Sequence, residues 1–436
     1  VSVRLEPGDC LEILPMLADI GPLFDACITD PPYHLTSTVK RFGGESAAPA
    51  KAGVYGRSSA GFMGKTWDGG DIAFDPATWR AVYDTLKPGA YLLAFGGTRT
   101  FHRMAVAIED SGFEIRDTIM WLYGTGFPKS HDVSKGIDKA LGAKGTFGAP
   151  KSAAHAGWID RGRMRGENGN AGWQRPCMDD PEQVANAARV YEQATPEAAE
   201  WSGWGTALKP AWEPIIVARK PLVGTIAANV LAHGTGALNI DASRVTLPDG
   251  DALHDGVKHS GAALDTRDGE SWGFKAVDRA PGLGRWPANV IHDGSDEVLG
   301  AFPHAPGQQG FVGAKHGKRD SVNTYGDYGP RPDTHPRGDS GTAARFYYSA
   351  KATAADRAFG KHPTVKPIAL LRYLARLVTR PGGCILDPFA GSGTLLQAAH
   401  ECGFSAVGIE RDPTYQTDIL RRLAMLADPE MAAMLA

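Results

Sequence analysis

Residues 384–394 read C-I-L-D-P-F-A-G-S-G-T. Cys384-Ile385-Leu386 is an apolar run short enough for a strand buried on both faces, Asp387-Pro388 ends it, and a helix-competent stretch opens at Thr394. Gly391 and Gly393 let the backbone turn sharply and come close to a ligand at the C-terminal edge of a sheet. The next apolar run, 406–409, ends in Glu410, 17 positions beyond Gly393, where a carboxylate can accept hydrogen bonds from both ribose hydroxyls of a nucleoside. The segment is neither a GxGxxG dinucleotide fingerprint nor a GK[ST] phosphate loop. By itself it is also compatible with a tight strand–helix turn that binds nothing.

The flanking sequence sets this turn in a parallel α/β pattern. Upstream, 367–378 has the apolar spacing of an amphipathic helix that starts at a proline. Residues 1–140 show the same alternation: strand candidates at 1–5, 24–29, 91–95 and 115–123, and a helical apolar face over 11–17. Residues 141–345 are rich in Gly, Asp, His, Pro and Arg, with a strand candidate at 213–218 and a helix candidate at 222–231. A structureless loop that long is improbable in a compact domain, so this stretch reads as an inserted, irregular domain. The implied organisation is 1–140 and 346–436 as two halves of one sheet, with 141–345 between them. Trp158, Trp173, Trp201, Trp204, Trp272 and Trp286 are read as the small core of that insert.

At the end of the apolar run 24–29 stands Asp30-Pro31-Pro32-Tyr33. Two prolines remove two N–H donors and hold the chain extended, which leaves the Asp30 carboxylate and the Pro31 carbonyl as acceptors. Such a pair can take both hydrogens of an exocyclic amino group and expose its lone pair, while Tyr33 offers a flat face to an extruded base. A proline-rich strand-end turn is the structural alternative.

Together these motifs resemble the S-adenosylmethionine-dependent DNA amino-methyltransferases that act on adenine N6 or cytosine N4. DPPY matches the family's catalytic motif, DPFAGSG its cofactor motif, and Lys361-His362-Pro363-Thr364-Val365-Lys366-Pro367 its KHPTxKP segment. The order, catalytic motif first, resembles the β class. The resemblance covers about 1–140 and 345–415. It implies a doubly wound, Rossmann-like methyltransferase sheet with a target-recognition insert. It further implies that Asp30, Pro31, Pro32 and Tyr33 are catalytic. Around the cofactor it places Phe389, Gly391, Ser392, Gly393 and Thr394, with Asp387 near the methionine amino group and Glu410 on the ribose. Thr364 and Lys366 would meet the methionine carboxylate, Asp9 the adenine beside Cys10, and His362 would brace the loop. Lys366 as a surface charge and Asp9 as a helix N-cap are the plain structural alternatives. S-adenosylhomocysteine would be the product, and no metal is required.

The acidic form DPPY, as against SPPY, goes mostly with adenine in this resemblance, and a carboxylate is the stronger acceptor for an amino hydrogen. Cytosine N4 is the alternative target, and a non-catalytic DNA-binding protein of this fold the alternative class. A base inside a duplex must be flipped out. Phosphate contacts that could offset this cost are sought at Lys40, Arg41, Arg57, Lys65, Arg161, Arg163 and Arg165, with the Gly-rich basic segment 36–66 expected to close beside the flipped base. Double-stranded DNA is the expected partner, and the resemblance suggests a homodimer. A net charge of −3 does not exclude DNA, since a local basic surface suffices. Five scattered cysteines without a CxxC pair argue for reduced thiols and against a zinc site, and no run of about 18 apolar residues offers a membrane span. With no signal-peptide pattern at the start of the chain, the expected location is the cytoplasm.

Overall fold

A computed structural model of the chain describes residues 1–33, 71–124, 126, 130–162, 181–246, 284–306, 311, 340–351, 353, 356 and 365–427. The chain divides into two compact units, one formed by Val1–Pro31, Ile72–Gly124 and Trp212–Ala436, the other by Pro32–Asp71 and Thr125–Ala211. In chain order the strands are β1 (Val3–Pro7), β2 (Phe24–Thr29), β3 (Leu86–Phe95), β4 (Glu114–Leu122), β5 (Thr146–Pro150), β6 (Arg189–Glu192), β7 (Trp212–Arg219), β8 (Val290–His292), β9 (Tyr348–Ser349), β10 (Cys384–Asp387) and β11 (Ser405–Glu410). Nine of them make the sheet of the first unit, in the order β1-β11-β10-β2-β3-β7-β4-β8-β9. The first five in that order are parallel. Strand β7 runs against both its neighbours, and β8 and β9 continue parallel to β4.

Helices cover both faces. The helices α1 (Cys10–Ile20), α2 (Pro76–Thr85) and α3 (Phe101–Asp110) bring Leu14, Leu17, Trp79, Val82, Met104 and Ile108 against Cys27, Leu92, Ala94, Ile216, Leu386 and Val407 of the sheet. The other face meets α4 (Ile368–Val378) and α5 (Thr394–Glu401), whose Leu370, Leu371, Leu374, Leu395 and Leu396 are buried. Each such leucine contributes about 1.5–3 kcal/mol of burial. The doubly wound α/β sheet expected from the alternating pattern is therefore the fold. Strand β10 leads through α5 to β11 on one side, whereas β2 leads through α2 to β3 on the other. The crevice at the C-terminal ends of β2 and β10 is thus a topological switch point, where ligands of open α/β sheets bind.

Strands β8 and β9, three and two residues long, carry too little pattern to be seen in sequence. The helix expected at 222–231 begins at Ile226, because Thr225 caps it through its side chain. The second unit holds the antiparallel pair β5–β6 and is organised around buried Asp138, which accepts from the Tyr191 hydroxyl, the Ala194 and Thr195 amides and the Thr195 hydroxyl at 2.7–3.1 Å. Burial would raise its pKa; these four donors outweigh that and hold it below the ordinary value. Of the six tryptophans read as this core, Trp201 and Trp204 lie exposed, edge to face at 5.0 Å, Trp286, in the first unit, is exposed too, Trp158 is half-buried, and Trp173 and Trp272 lie outside the described residues. Among the described residues the apolar core of the second unit is Val184, Ala188 and Ala198.

At the N-terminal end of β2, Asp25 is 3% exposed and accepts from Lys87 Nζ at 2.8 Å, Arg380 Nε at 3.2 Å and the Cys384 amide at 2.8 Å. It fastens β2 to β3 and β10. Asp25→Ala leaves the Cys384 amide unpaired and two cations without their acid. It should cost about 2–3 kcal/mol in urea unfolding, the scale of hydrogen bonds to a charged group.

Candidate active site

The strand ends at the switch point carry the acids. Asp387 closes β10 and is 5% exposed. The Thr29 hydroxyl, at the end of β2, donates to its Oδ1 at 2.7 Å, and the Phe389 amide to the same atom at 3.2 Å. Burial pushes the Asp387 carboxyl up to about 7; these two donors oppose the shift, and the charges of Asp30 and Glu410 add to it. Beyond it the chain turns through Gly391 and Gly393, both at positive φ (52° and 70°). A Cβ on Gly393 would stand 2.9 Å from the Ile419 side chain, so only glycine fits there. The hydroxyls of Ser392 and Thr394 bond each other at 2.6 Å, in the buried entrance to α5.

Glu410 ends β11. Its Oε2 accepts from the Gly391 amide at 2.8 Å and its Oε1 from the Asp412 amide at 2.7 Å, which ties the glycine turn to the neighbouring strand. Burial raises its pKa and the two amides hold it back. With about four acceptor sites, the carboxylate keeps capacity beyond these bonds. Asp9 follows β1 and is the N-cap of α1, accepting from the Leu11 amide at 2.9 Å, with Arg411 Nη1 3.4 Å from its Oδ2. Cys10 is buried, and burial, with Asp9 beside it, pushes its thiol up to about 12, so it is inert at neutral pH.

Asp30 directly follows β2, and Pro31 behind it is buried. Lys366, just before α4, brings Nζ to 2.9 Å from Asp30 Oδ2 and 3.3 Å from Glu213 Oε2, and to 5.0 Å from the Phe95 ring centroid. At 8% exposure burial would lower its pKa, but the two carboxylates outweigh it and hold the ammonium charged, above its usual value. The sheet register explains the grouping. Phe95 pairs with Ile215 and Trp121 with Glu213 in antiparallel ladders, so all four side chains share one face. Tyr123 lies two residues beyond Trp121. Burial and the nearby Glu213 push its phenol up to about 12, with Lys366 opposing.

Asp9, Cys10, Asp30, Lys366, Asp387, Phe389, Gly391, Ser392, Gly393, Thr394 and Glu410 therefore gather around one edge of the first unit's sheet. Pro32 and Tyr33 fall to the second unit. Arg161 is exposed on the last turn of the helix Ala153–Arg161 in that unit. His362, Thr364, Lys40, Arg41, Arg57, Lys65, Arg163 and Arg165, and the segment 36–66, lie outside the described residues. Sequence reading missed Glu213; the signal was an acid within the otherwise apolar W-E-P-I-I-V-A. Among the described residues there is no group of three or more His, Cys, Asp or Glu side chains that could hold a metal ion, and no helix long and apolar enough to cross a membrane.

A family model described as DNA methylase matches residues 179–421. DNA adenine methyltransferase YhdJ of Escherichia coli (strain K12) is 34% identical over 115 residues, 26% of this chain. The chain spans only 37% of the length of that curated relative. Among solved structures, the M1.HpyAVI–SAM complex gives a TM-score of 0.35 at 14% identity, covering 96% of this chain and 99% of its own. PvuII DNA methyltransferase (cytosine-N4-specific) gives 0.38 at 12% identity, covering 96% and 86%.

The raised Asp387 pKa has a signed consequence for stability. Between about 4, the ordinary value, and about 7 the folded state keeps a proton that the unfolded chain releases, so this contribution is present at low pH and lost as the pH rises. Asp387→Asn should remove that loss. The difference between variant and wild type in urea unfolding should move toward the variant from pH 4.5 to 7.5, by on the order of 2–4 kcal/mol.

Proposed function

The chain belongs to the DNA methylase family, and we propose that it transfers a methyl group from S-adenosylmethionine to the exocyclic amino nitrogen of a base in duplex DNA, adenine N6 by preference. The observation that supports this most is the placing of Asp30. A carboxylate held by a buried ammonium stands at the switch-point edge beside the Asp387–Glu410 turn. The following residue, Pro31, has no N–H to compete for the same acceptors.

The edge suits the methyl donor chemically. A ligand that carries positive charge and ribose hydroxyls needs acidic groups and free acceptor lone pairs. Asp387 offers a carboxyl poised to ionise near neutral pH, and Glu410 has acceptor capacity left after its two amide bonds. Asp387, Phe389, Gly391, Ser392, Gly393, Thr394 and Glu410 would hold it, with Asp9 and Cys10 beneath the adenine end. S-adenosylmethionine, when bound, supplies an electrophilic methyl group on a sulfonium. The chain's own part is positioning and activation. The Asp30 carboxylate and the Pro31 carbonyl accept the amino hydrogens of the target and turn its lone pair out of conjugation. Fixing the two reactants in one geometry adds to this by lowering the entropic part of the barrier.

We assign 1–140 and 346–436 to the catalytic and cofactor-binding halves and 141–345 to target recognition, with duplex DNA as substrate, a homodimer as the working form and the cytoplasm as its place. Adenine is preferred to cytosine because the acceptor is a carboxylate.

Tritium transfer from S-adenosylmethionine to unmethylated duplex DNA, set against RNA and protein, tests the substrate class; nucleoside analysis then separates N6-methyladenine from N4-methylcytosine. Asp30→Ala should lower transfer by about 10²–10⁴-fold with cofactor binding nearly unchanged. Gly391→Val, which forces a β-branched residue into the left-handed region, and Glu410→Ala should weaken cofactor binding instead. Equal loss of cofactor affinity in all three would contradict this division of labour. Sedimentation should show a dimer, free or on DNA.

A further inference from the structure

We infer that Lys366 and Glu213 are positioning residues for Asp30: Lys366 fixes the orientation of the Asp30 carboxylate, and Glu213 fixes Lys366. The inference rests on the amino-methyltransferase reading and deepens it, for the family resemblance places Lys366 on the methionine carboxylate and gives Glu213 no part.

The geometry points the other way. The Lys366 ammonium lies within 2.9 Å of Asp30 Oδ2 and 3.3 Å of Glu213 Oε2, two carboxylates of the chain itself. It is 8% exposed, so its charge is compensated from within the protein. A lysine stem has four rotatable carbons and would not by itself hold a point charge in place. Here the stem enters from the start of α4, the Phe95 ring lies 5.0 Å from Nζ, and acids from two different strand ends grip the head. Glu213 is rigid for its own reasons. It sits in β7, opposite Trp121 on β4, and Pro214 follows it. With Oδ2 engaged by Lys366, the Asp30 carboxylate is held at the end of β2. Neither Lys366 nor Glu213 needs to touch the substrate.

The test is a set of variants in the full chain: Glu213→Gln, Lys366→Met, the double variant, and Lys366→Ala supplemented with ethylammonium. Glu213→Gln should lower kcat about tenfold and Lys366→Met about a hundredfold, the scale of a displaced catalytic group, with cofactor Kd and DNA KM nearly unchanged. The double variant should be no slower than Lys366→Met alone, because the two act through one unit. Ethylammonium should restore turnover to Lys366→Ala saturably. Loss of cofactor affinity at unaltered kcat in Lys366→Met would overturn the inference and return Lys366 to the cofactor; an unchanged kcat in Glu213→Gln would overturn it as well. Should Lys366→Met not fold, the near-isosteric Glu213→Gln carries the kinetic test. A second measurement needs no turnover: the ammonium ¹H–¹⁵N resonance of Lys366 should shift in Glu213→Gln and in Asp30→Asn, and a resonance indifferent to Glu213→Gln would overturn the inference. A wild-type protein that methylates no DNA while this resonance responds to both changes would sink the functional reading and leave the charge unit standing.

Discussion

A buried positive charge organises one edge of this molecule. Lys366 is 8% exposed, and Asp30 and Glu213 face it. The desolvation penalty of an isolated ammonium is several kcal/mol, and a pair repays it only when the geometry is good. The three residues come from the beginning, middle and end of the chain. Their meeting therefore requires β2, β7 and the entrance to α4 to be in place together, and it fails if any one is displaced. This is weak evidence for stability and stronger evidence for register. A one-residue slip of β7 would carry Glu213 to the opposite face and leave Lys366 facing one acid instead of two.

Strand β2, which ends just before Asp30, is held at its other end by the opposite arrangement. Asp25 is the buried anion, and Lys87, Arg380 and the Cys384 amide are its partners. Strand β2 is thus pinned by an inward anion at its N-terminal end and, just past its C-terminal end, by an inward cation, with a fully buried ladder between them. This matters because β10 and β11 lie between β1 and β2 in the sheet although they come last in the chain. Contacts of such long sequence separation are costly in loop entropy. The apolar faces of β2, β10 and β11 drive that closure without selecting a register. The charged ends add the selection, since each is satisfied at one alignment only.

How much of this was legible in the sequence follows from the same physics. Strands β2, β10 and β11 are nearly continuous apolar runs ended by an acid, and their bounds came out within a residue or two of 24–29, 384–386 and 406–409. The glycine turn was visible because positive φ at two nearby positions admits few other residues. Glu213 was not: a carboxylate inside an apolar strand becomes meaningful only once the antiparallel register places it opposite Trp121 and beside Lys366. Lys366 itself was found, but its partner could not be, because a lysine before a helix gives no sign of which anion it will meet. The tryptophans misled for a related reason. Ring size suggests burial, yet Trp201 and Trp204 satisfy one another at the surface.

The site's charge balance explains why the arrangement suits a cationic ligand. Asp9, Asp30, Asp387 and Glu410 stand around one edge, with Lys366 on Asp30 and Arg411 near Asp9. Asp387 and Glu410 meet no cation in their hydrogen bonds; each leans on hydroxyl or amide donors, and burial raises both. That leaves Asp387 incompletely ionised near neutral pH until positive charge arrives. A ligand bearing such charge would draw the Asp387 proton off as it bound, so its affinity should rise with pH up to about 7 and level off above it. Calorimetry of S-adenosylmethionine binding in buffers of different ionisation enthalpy should register a released proton below that pH and almost none above it. In Asp387→Asn the release should vanish. Lys366 contributes nothing to this linkage, because two carboxylates keep it charged across the range. The two halves of the site thus divide the electrostatics: Asp30 faces a buried cation supplied by the chain itself, while Asp387 waits on the ligand to ionise it.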